Sequence, residues 1–183
     1  MSREQRTLLS LMGKTYRKLD RTRRNPRDLA QMKEALGWLE MRRSRIHGRG
    51  VFARRDIPAG TRLIEYVGLP ISKEKSEELR LKHNNYLFNV NESSDLNGKV
   101  SWNPARLINH SCEPNCEANQ DESDRVWIFS TKPITRGEEI TFNYGFNLDD
   151  FRNFPCRCRT PSCPGYMVSE ELIPAVRRLL GRS

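Results

Sequence analysis

Apolar positions recur along this chain with two different periods, and the change between them falls near residue 43. Through residues 1–24 a stripe at Leu8, Met12, Tyr16 and Leu19 has helical spacing in an otherwise polar segment. Asn25-Pro26-Arg27-Asp28 then reads as a second helix start. Asn25 can cap, Pro26 suits the first helical position, and Asp28 complements the positive end of the helix dipole. Leu29, Met32, Leu36 and Leu39 carry that helix's apolar face to about residue 41.

Beyond Arg43 the pattern shortens to strands. Residues 45–53 give a β signal interrupted by Gly48 and Gly50, Ile57-Pro58-Ala59-Gly60-Thr61 is a turn, and residues 62–67 alternate and favour β structure. Ser72 can cap a helix running to about Lys82, and residues 86–90 form another short strand. Residues 91–99 read as a polar loop whose Asn97-Gly98 pair is a hairpin signal. Residues 125–130 and 139–144 are further strands, separated by a turn from Pro133 to Gly137. After Asn147 comes a tail: a loop over 156–163 and a short closing helix over 174–180, with Gly181 behind it. The expectation is a mostly β body with small helices, an α+β fold without internal repeats. Its parts are a basic helical arm over 1–42, the body over 43–147, a loop region over 148–167 and a C-terminal helix in 168–183.

Length and charge refine this picture. With 183 residues the chain fits one core domain with a tail. Its net charge of +9 is lopsided: residues 1–55 hold 16 Lys/Arg against 5 Asp/Glu, and the rest hold 16 against 18. The basic arm can attract nucleic acid or an acidic protein, or serve as a solvated helix that aids solubility. No apolar run approaches the roughly 20 residues of a membrane helix. The basic N-terminus lacks an apolar signal core, so an intracellular, non-membrane, monomeric protein without a secretory signal peptide is expected.

Five cysteines without a secretion signal argue for metal over disulfides. Cys156-x-Cys158-x4-Cys163 offers three ligands of a tetrahedral zinc site. The fourth could come from Cys112, Cys116 or one of the three histidines, and spacing alone does not choose. His47-Gly48-Arg49-Gly50 permits close backbone approach to a ligand, or simply a turn. Asn109-His110 could hold a polar ligand or be a satisfied buried pair. Tyr144 in Ile140-Thr141-Phe142-Asn143-Tyr144 is by itself an aromatic strand end. No Walker or dinucleotide fingerprint is present.

Together these segments form one ordered pattern: His47-Gly-Arg-Gly, Glu65-Tyr66-Val67-Gly68, Tyr86-Leu-Phe, Arg106-Leu-Ile-Asn-His-Ser-Cys, Gly137-Glu-Glu-Ile-Thr-Phe-Asn-Tyr144 and Cys-x-Cys-x4-Cys. The chain resembles a SET-domain protein lysine methyltransferase with a post-SET zinc loop, closest in texture to the trithorax-type histone methyltransferases. The likeness covers about residues 43–167.

What the resemblance implies is specific. The fold is a β-clip whose C-terminal segment passes through a loop as a pseudoknot, an exception to unthreaded topology. S-adenosylmethionine would contact His47, Gly48, Arg49, Gly50, Tyr86, Arg106, Asn109, His110 and Arg157. One structural Zn2+ would take Cys112, Cys156, Cys158 and Cys163, leaving Cys116 as a structural thiol. Tyr144 matches the catalytic tyrosine. Phe142 occupies the position where a phenylalanine leaves room for di- or trimethylation. Phe88, Phe142, Phe146 and Tyr166 would line the lysine channel. The implied substrate is a lysine in a histone or another basic tail, with chromatin as the setting in a eukaryote, or the cytoplasm or a host cell for a bacterial protein. The alternative is a catalytically silent SET module that binds chromatin or peptide through the basic arm. Two features depart from the pattern: Asn103-Pro104 before Ala105-Arg106, and no cysteine before residue 112 to build a pre-SET module.

Overall fold

A computed structural model describes residues 37–149 and 151–181. The helices expected over 1–36 lie outside them. Among the described residues ten strands and two α-helices build a mostly β body. No helix among them is long and apolar enough to cross a membrane.

The first strand corrects the sequence reading. Leu39 was expected to close a helical face, yet β1 (Leu39–Arg43) is extended and pairs antiparallel with β2 (Arg49–Ala53). Leu39 and Met41 point into the core while Glu40 and Arg42 face outward, the period of two that a half-buried strand requires. A leucine that fits two periods was decided by its strand partner. Among the described residues the first strand thus starts at Leu39.

The larger sheet runs β1, β2, β10 (Glu139–Phe142), β8 (Cys116–Gln120), β9 (Val126–Ser130) and β3 (Arg62–Tyr66), with the short β7 (Asn109–His110) also paired to β10. β10 is antiparallel to β2 but parallel to β7 and β8. Phe142 thus lies opposite both His110 and Cys116. A late strand is thus inserted beside the 109–116 segment. Asn115 reinforces it, because its side chain donates to the Glu139 carbonyl at 2.9 Å and accepts from the Thr141 amide at 2.9 Å. That side chain does the work of a ladder peptide. The core beneath is Leu39, Val51, Leu63, Ile64, Ile108, Ile128, Ile134 and Ile140, among others.

A second sheet of three strands, β4 (Leu69–Ser72), β6 (Ser94–Asn97) and β5 (Leu87–Asn89), carries the α1 helix (Lys73–Leu81). Ser72 caps it as expected, accepting from the Lys75 amide. Lys73 pairs at 2.5 Å with the buried side chain of Asp95, and so ties the helix start to β6. The Asn97-Gly98 pair is not the hairpin turn that its sequence suggests. The turn joining β5 to β6 falls at residues 90–93, where Asn91 Oδ1 accepts from the amides of Ser93 and Ser94. Gly98 instead lies against the Tyr66 ring, where a Cβ would collide. β4 and β8 carried only weak signals: Cys116-Glu-Ala-Asn-Gln120 alternates, but with small apolar residues at Cys116 and Ala118 alone.

Asn103, one of the two departures noted in the sequence, is 0% exposed. It accepts from the Val67 amide at 3.4 Å and donates to the Gly98 carbonyl at 3.1 Å, joining the exit of β3 to the loop after β6. Asn103→Ala leaves both groups buried and unpaired, so a loss of about 2–3 kcal/mol in urea-denaturation stability is expected. A loss below about 0.5 kcal/mol would show that water or a shifted backbone replaces both bonds.

The tail folds back as a separate small core. Phe151, Val168, Ile173 and Val176 pack with Cys112 and against Cys156, Cys158 and Cys163. The α2 helix (Ile173–Leu179) supplies two of these residues, with Pro174 in its first turn.

Candidate active site

Residues 108–112 and the end of β10 meet at Tyr144. The Tyr144 hydroxyl donates to the Ile108 carbonyl at 2.8 Å, and its amide donates to His110 Nδ1 at 3.1 Å. Burial pushes the Tyr144 hydroxyl well above the ordinary tyrosine range, so it stays protonated at neutral pH. Rings run outward from it in both directions: Phe142 at 5.0 Å and Phe146 at 5.9 Å, then Phe88 and Tyr66 on one side and Phe154 on the other.

Three cavities share Tyr144. The first, about 400 Å³, is lined by His47, Gly48, Arg49, Tyr86, Arg106, Asn109, His110 and Arg157, with Asn153, Phe154, Pro155 and Met167 closing it from the tail. The second, about 560 Å³, lies between the α1–β5 region and β8, with Phe88, Asn89, Asn119, Gln120 and Phe146 in its wall. Between them is a constriction of about 20 Å³, lined by Tyr66, Tyr86, Phe88, Arg106, Phe142, Tyr144 and Phe146. Its walls are shared with both larger spaces. Arg106 borders the first cavity and the constriction, and its Nε is buried without a partner.

The residues expected together are therefore brought together, with two exceptions. Gly50 is not in the cavity wall; it is buried beneath Glu139, whose carboxylate a Cβ would strike. That carboxylate accepts from Asn109 Nδ2 at 2.7 Å and from Ser44 Oγ at 2.8 Å, so Gly50 makes room for the group that fixes Asn109. Tyr166 lines none of the three cavities. Its ring stands edge-on to Phe151 in the tail core, because the Pro155–Tyr166 bridge turns it toward the cysteines. Tyr66 had been given no role in the sequence, yet it lines the constriction and donates to the Tyr86 carbonyl at 3.3 Å. Its cues were its place at the end of an alternating strand and in the Glu65-Tyr66-Val67-Gly68 segment.

Asn109-His110 is a satisfied buried pair as well as a cavity wall. Asn109 Nδ2 also faces the carbonyls of His47 and Arg49, each at 3.2 Å, and so shapes the His-Gly-Arg turn. His110 is 2% exposed, and burial lowers its pKa to about 4.

The sulfurs of Cys112, Cys156, Cys158 and Cys163 lie within 4.8 Å of one another. The close approach of the other three sulfurs, Cys112 first, holds Cys158 well below the ordinary thiol range, while Cys156 above all pushes Cys112 up. Four sulfurs competing for protons at this spacing suit a cation that takes all of them as thiolates. Cys116 stands apart, its thiol pushed up to about 12 by burial, and behaves as a core residue.

The SET domain family profile matches residues 48–145. The chain belongs to the SET-domain family. It is 37% identical over 134 residues to human "Histone-lysine N-methyltransferase 2D", a span that is 68% of this chain and 2% of that protein. To "Histone-lysine N-methyltransferase trr" of Drosophila melanogaster it is 40% identical over 134 residues, 68% of this chain and 6% of that one. To "Histone-lysine N-methyltransferase set1" of Dictyostelium discoideum it is 33% identical over 148 residues, 76% of this chain and 10% of that one. The chain thus spans a small fraction of the length of these relatives. The SET match ends at Gly145, and the cysteine cluster joins the matched region, through Cys112, to the tail beyond it.

Proposed function

We propose that this SET-domain protein is an S-adenosylmethionine-dependent protein-lysine N-methyltransferase. It carries a lysine of a histone or another basic tail to the di- or trimethyl state. The names of its relatives support the reaction class and put chromatin forward as the setting. The observation that carries the reading is the aromatic constriction shared by two larger cavities, with Tyr144 in all three walls.

The first cavity suits the cofactor. Its volume is in the range of small-molecule sites, the backbone of His47–Arg49 is held open by Asn109, and Arg106 Nε is a buried donor awaiting an acceptor. When bound, S-adenosylmethionine supplies an activated methyl group that a neutral amine can accept in line. The chain's own residues must prepare that amine. Phe88, Phe142 and Phe146 exclude water from the constriction, and desolvation there favours the neutral lysine over the ammonium. The Tyr144 hydroxyl, protonated and anchored on Ile108, orients the amine through its lone pairs and is no general base. Holding amine and methyl in line supplies much of the rate. Zn2+ in the four-cysteine cluster would fix the tail against the body.

Phe142 sets the product. No hydroxyl on that ring holds water in the constriction, so methylated amines have room to turn. Phe142→Tyr should shift the product mass spectrum toward monomethyl-lysine, and an unchanged product distribution would exclude this role. The reaction itself is tested by transfer of radiolabelled methyl from S-adenosylmethionine to histones, to other basic proteins and to the enzyme. Incorporation is expected on lysine. Its absence from every acceptor, with the cofactor bound, would leave a binding module instead.

A further inference from the structure

His110 touches both Tyr144 and one cysteine of the cluster. Its Nδ1 accepts from the Tyr144 main-chain amide at 3.1 Å, and its Nε2 lies 3.5 Å from Cys112 Sγ. A ring nitrogen that accepts from a backbone N–H carries no proton of its own. The neutral imidazole must therefore hold its proton on Nε2, directed at the sulfur. The ring is 2% exposed and packs edge-on against Tyr144 at 5.3 Å, so it has little freedom to turn. With both nitrogens committed inside the protein, the side chain has no hydrogen-bonding group left for a small ligand. Only its backbone and ring surface can serve the adjoining cavity.

We propose that His110 is a positioning residue that joins the thiolate cluster to the catalytic tyrosine: Nε2–H donates to Cys112 Sγ while Nδ1 holds the Tyr144 amide. The inference rests on the reading of the cysteines as a metal site and of Tyr144 as catalytic. An N–H···S bond to a metal thiolate fixes the orientation of that ligand and of the ring together. The Tyr144 hydroxyl is already held by Ile108, two residues before His110. One short segment thus grips the tyrosine at its hydroxyl and at its backbone, and the metal ligand Cys112 sets the second grip. A disturbance at the cysteines reaches Tyr144 through this ring without crossing solvent.

The test uses the full chain loaded with 113Cd2+. Cadmium NMR should show a four-sulfur environment, and the His110 Nε2 proton should be coupled through its hydrogen bond to cadmium, with Nδ1 unprotonated. A proton on Nδ1, or no coupling from His110 to a four-sulfur cadmium, would overturn the proposal and leave the metal reading intact. Failure of cadmium to give the four-sulfur signal would instead overturn the metal reading. His110→Phe should weaken metal affinity by about 10- to 100-fold in chelator competition. It should also lower kcat at saturating metal with little change in KM for the methyl donor. His110→Gln, which can accept and donate over a similar span, should recover part of both. If His110→Phe is too unstable to purify, the wild-type proton position and coupling still decide. Unaltered metal affinity and kcat in His110→Phe would contradict the role.

Discussion

Replacing Tyr144 by phenylalanine should lower lysine methylation on the order of a hundredfold while leaving cofactor affinity near wild type. The magnitude is that of losing an oriented reactive geometry. Tyr144 lines both cavities, its hydroxyl is anchored on the Ile108 carbonyl, and burial keeps it protonated. Its removal takes away an oriented oxygen without vacating the ring's place among Phe142 and Phe146. The hydrogen bond to His110 Nδ1 comes from the Tyr144 main-chain N–H and survives. Stability should fall by only about 1 kcal/mol, the net worth of one hydrogen bond. Because Tyr144 does not ionise in the neutral range, the rise of rate with pH should be that of the bound lysine and should occur in wild type and variant alike. Steady-state kinetics with calorimetric titration of S-adenosylmethionine checks both halves. A loss of less than about threefold in kcat would remove Tyr144 from a positioning role in the chemistry.

Removal of the metal should weaken cofactor binding on the order of tenfold or more, even though no cysteine lines the first cavity. The reason is the wall itself. Asn153, Phe154, Pro155, Arg157 and Met167 close that cavity, and they lie among and beside the clustered cysteines. The tail's own core is small, with Phe151, Val168, Ile173 and Val176 packed about Cys112, so the cluster supplies much of what holds it together. Backbone ties help: Asn143 donates to the Val168 carbonyl, and Glu113 accepts from the Ser162 amide at 2.8 Å. These few bonds should not keep the wall closed alone. Cys158→Ser, or chelation of the wild type, should expose residues 151–181 to hydrogen exchange and reduce affinity together, while β2, β9 and β10 stay protected. Full affinity in a metal-free protein would contradict the coupling.

The sequence carried the site more clearly than the fold. The cysteine spacing and the Asn-His-Ser-Cys and Phe-Asn-Tyr segments are short, local and chemically specific, so they survive without a tertiary map. Ser72 and Pro174 marked their helices for the same reason, since a cap and a first-turn proline act within one turn. What failed depended on distant partners. Leu39 fits a helical stripe and a strand equally, and only its pairing with Ala53 decides. β8 is polar and becomes a strand because β9 and β10 flank it. Asn97-Gly98 has the composition of a hairpin turn, but Gly98 is needed where Tyr66 packs. Tyr166 was placed with the channel aromatics through the resemblance, and the Pro155–Tyr166 bridge sends it to the cysteines instead. Gly50 looked like part of a ligand turn, and its cause was a carboxylate 89 positions further on. Tyr66 belonged to a motif segment without a role of its own, and its part in the constriction became visible only when Phe88 was seen beside it.

The central claim is that a methyl group passes through the Tyr144 constriction onto a lysine. It is tested most directly by mass spectrometry of a mixed proteome incubated with S-adenosylmethionine carrying a deuterated methyl group, comparing wild type with Tyr144→Phe. Deuterated di- and trimethyl-lysine should appear with the wild type and be nearly absent with the variant. Equal lysine labelling by both proteins, or no lysine labelling by a wild type that binds the cofactor, would contradict it.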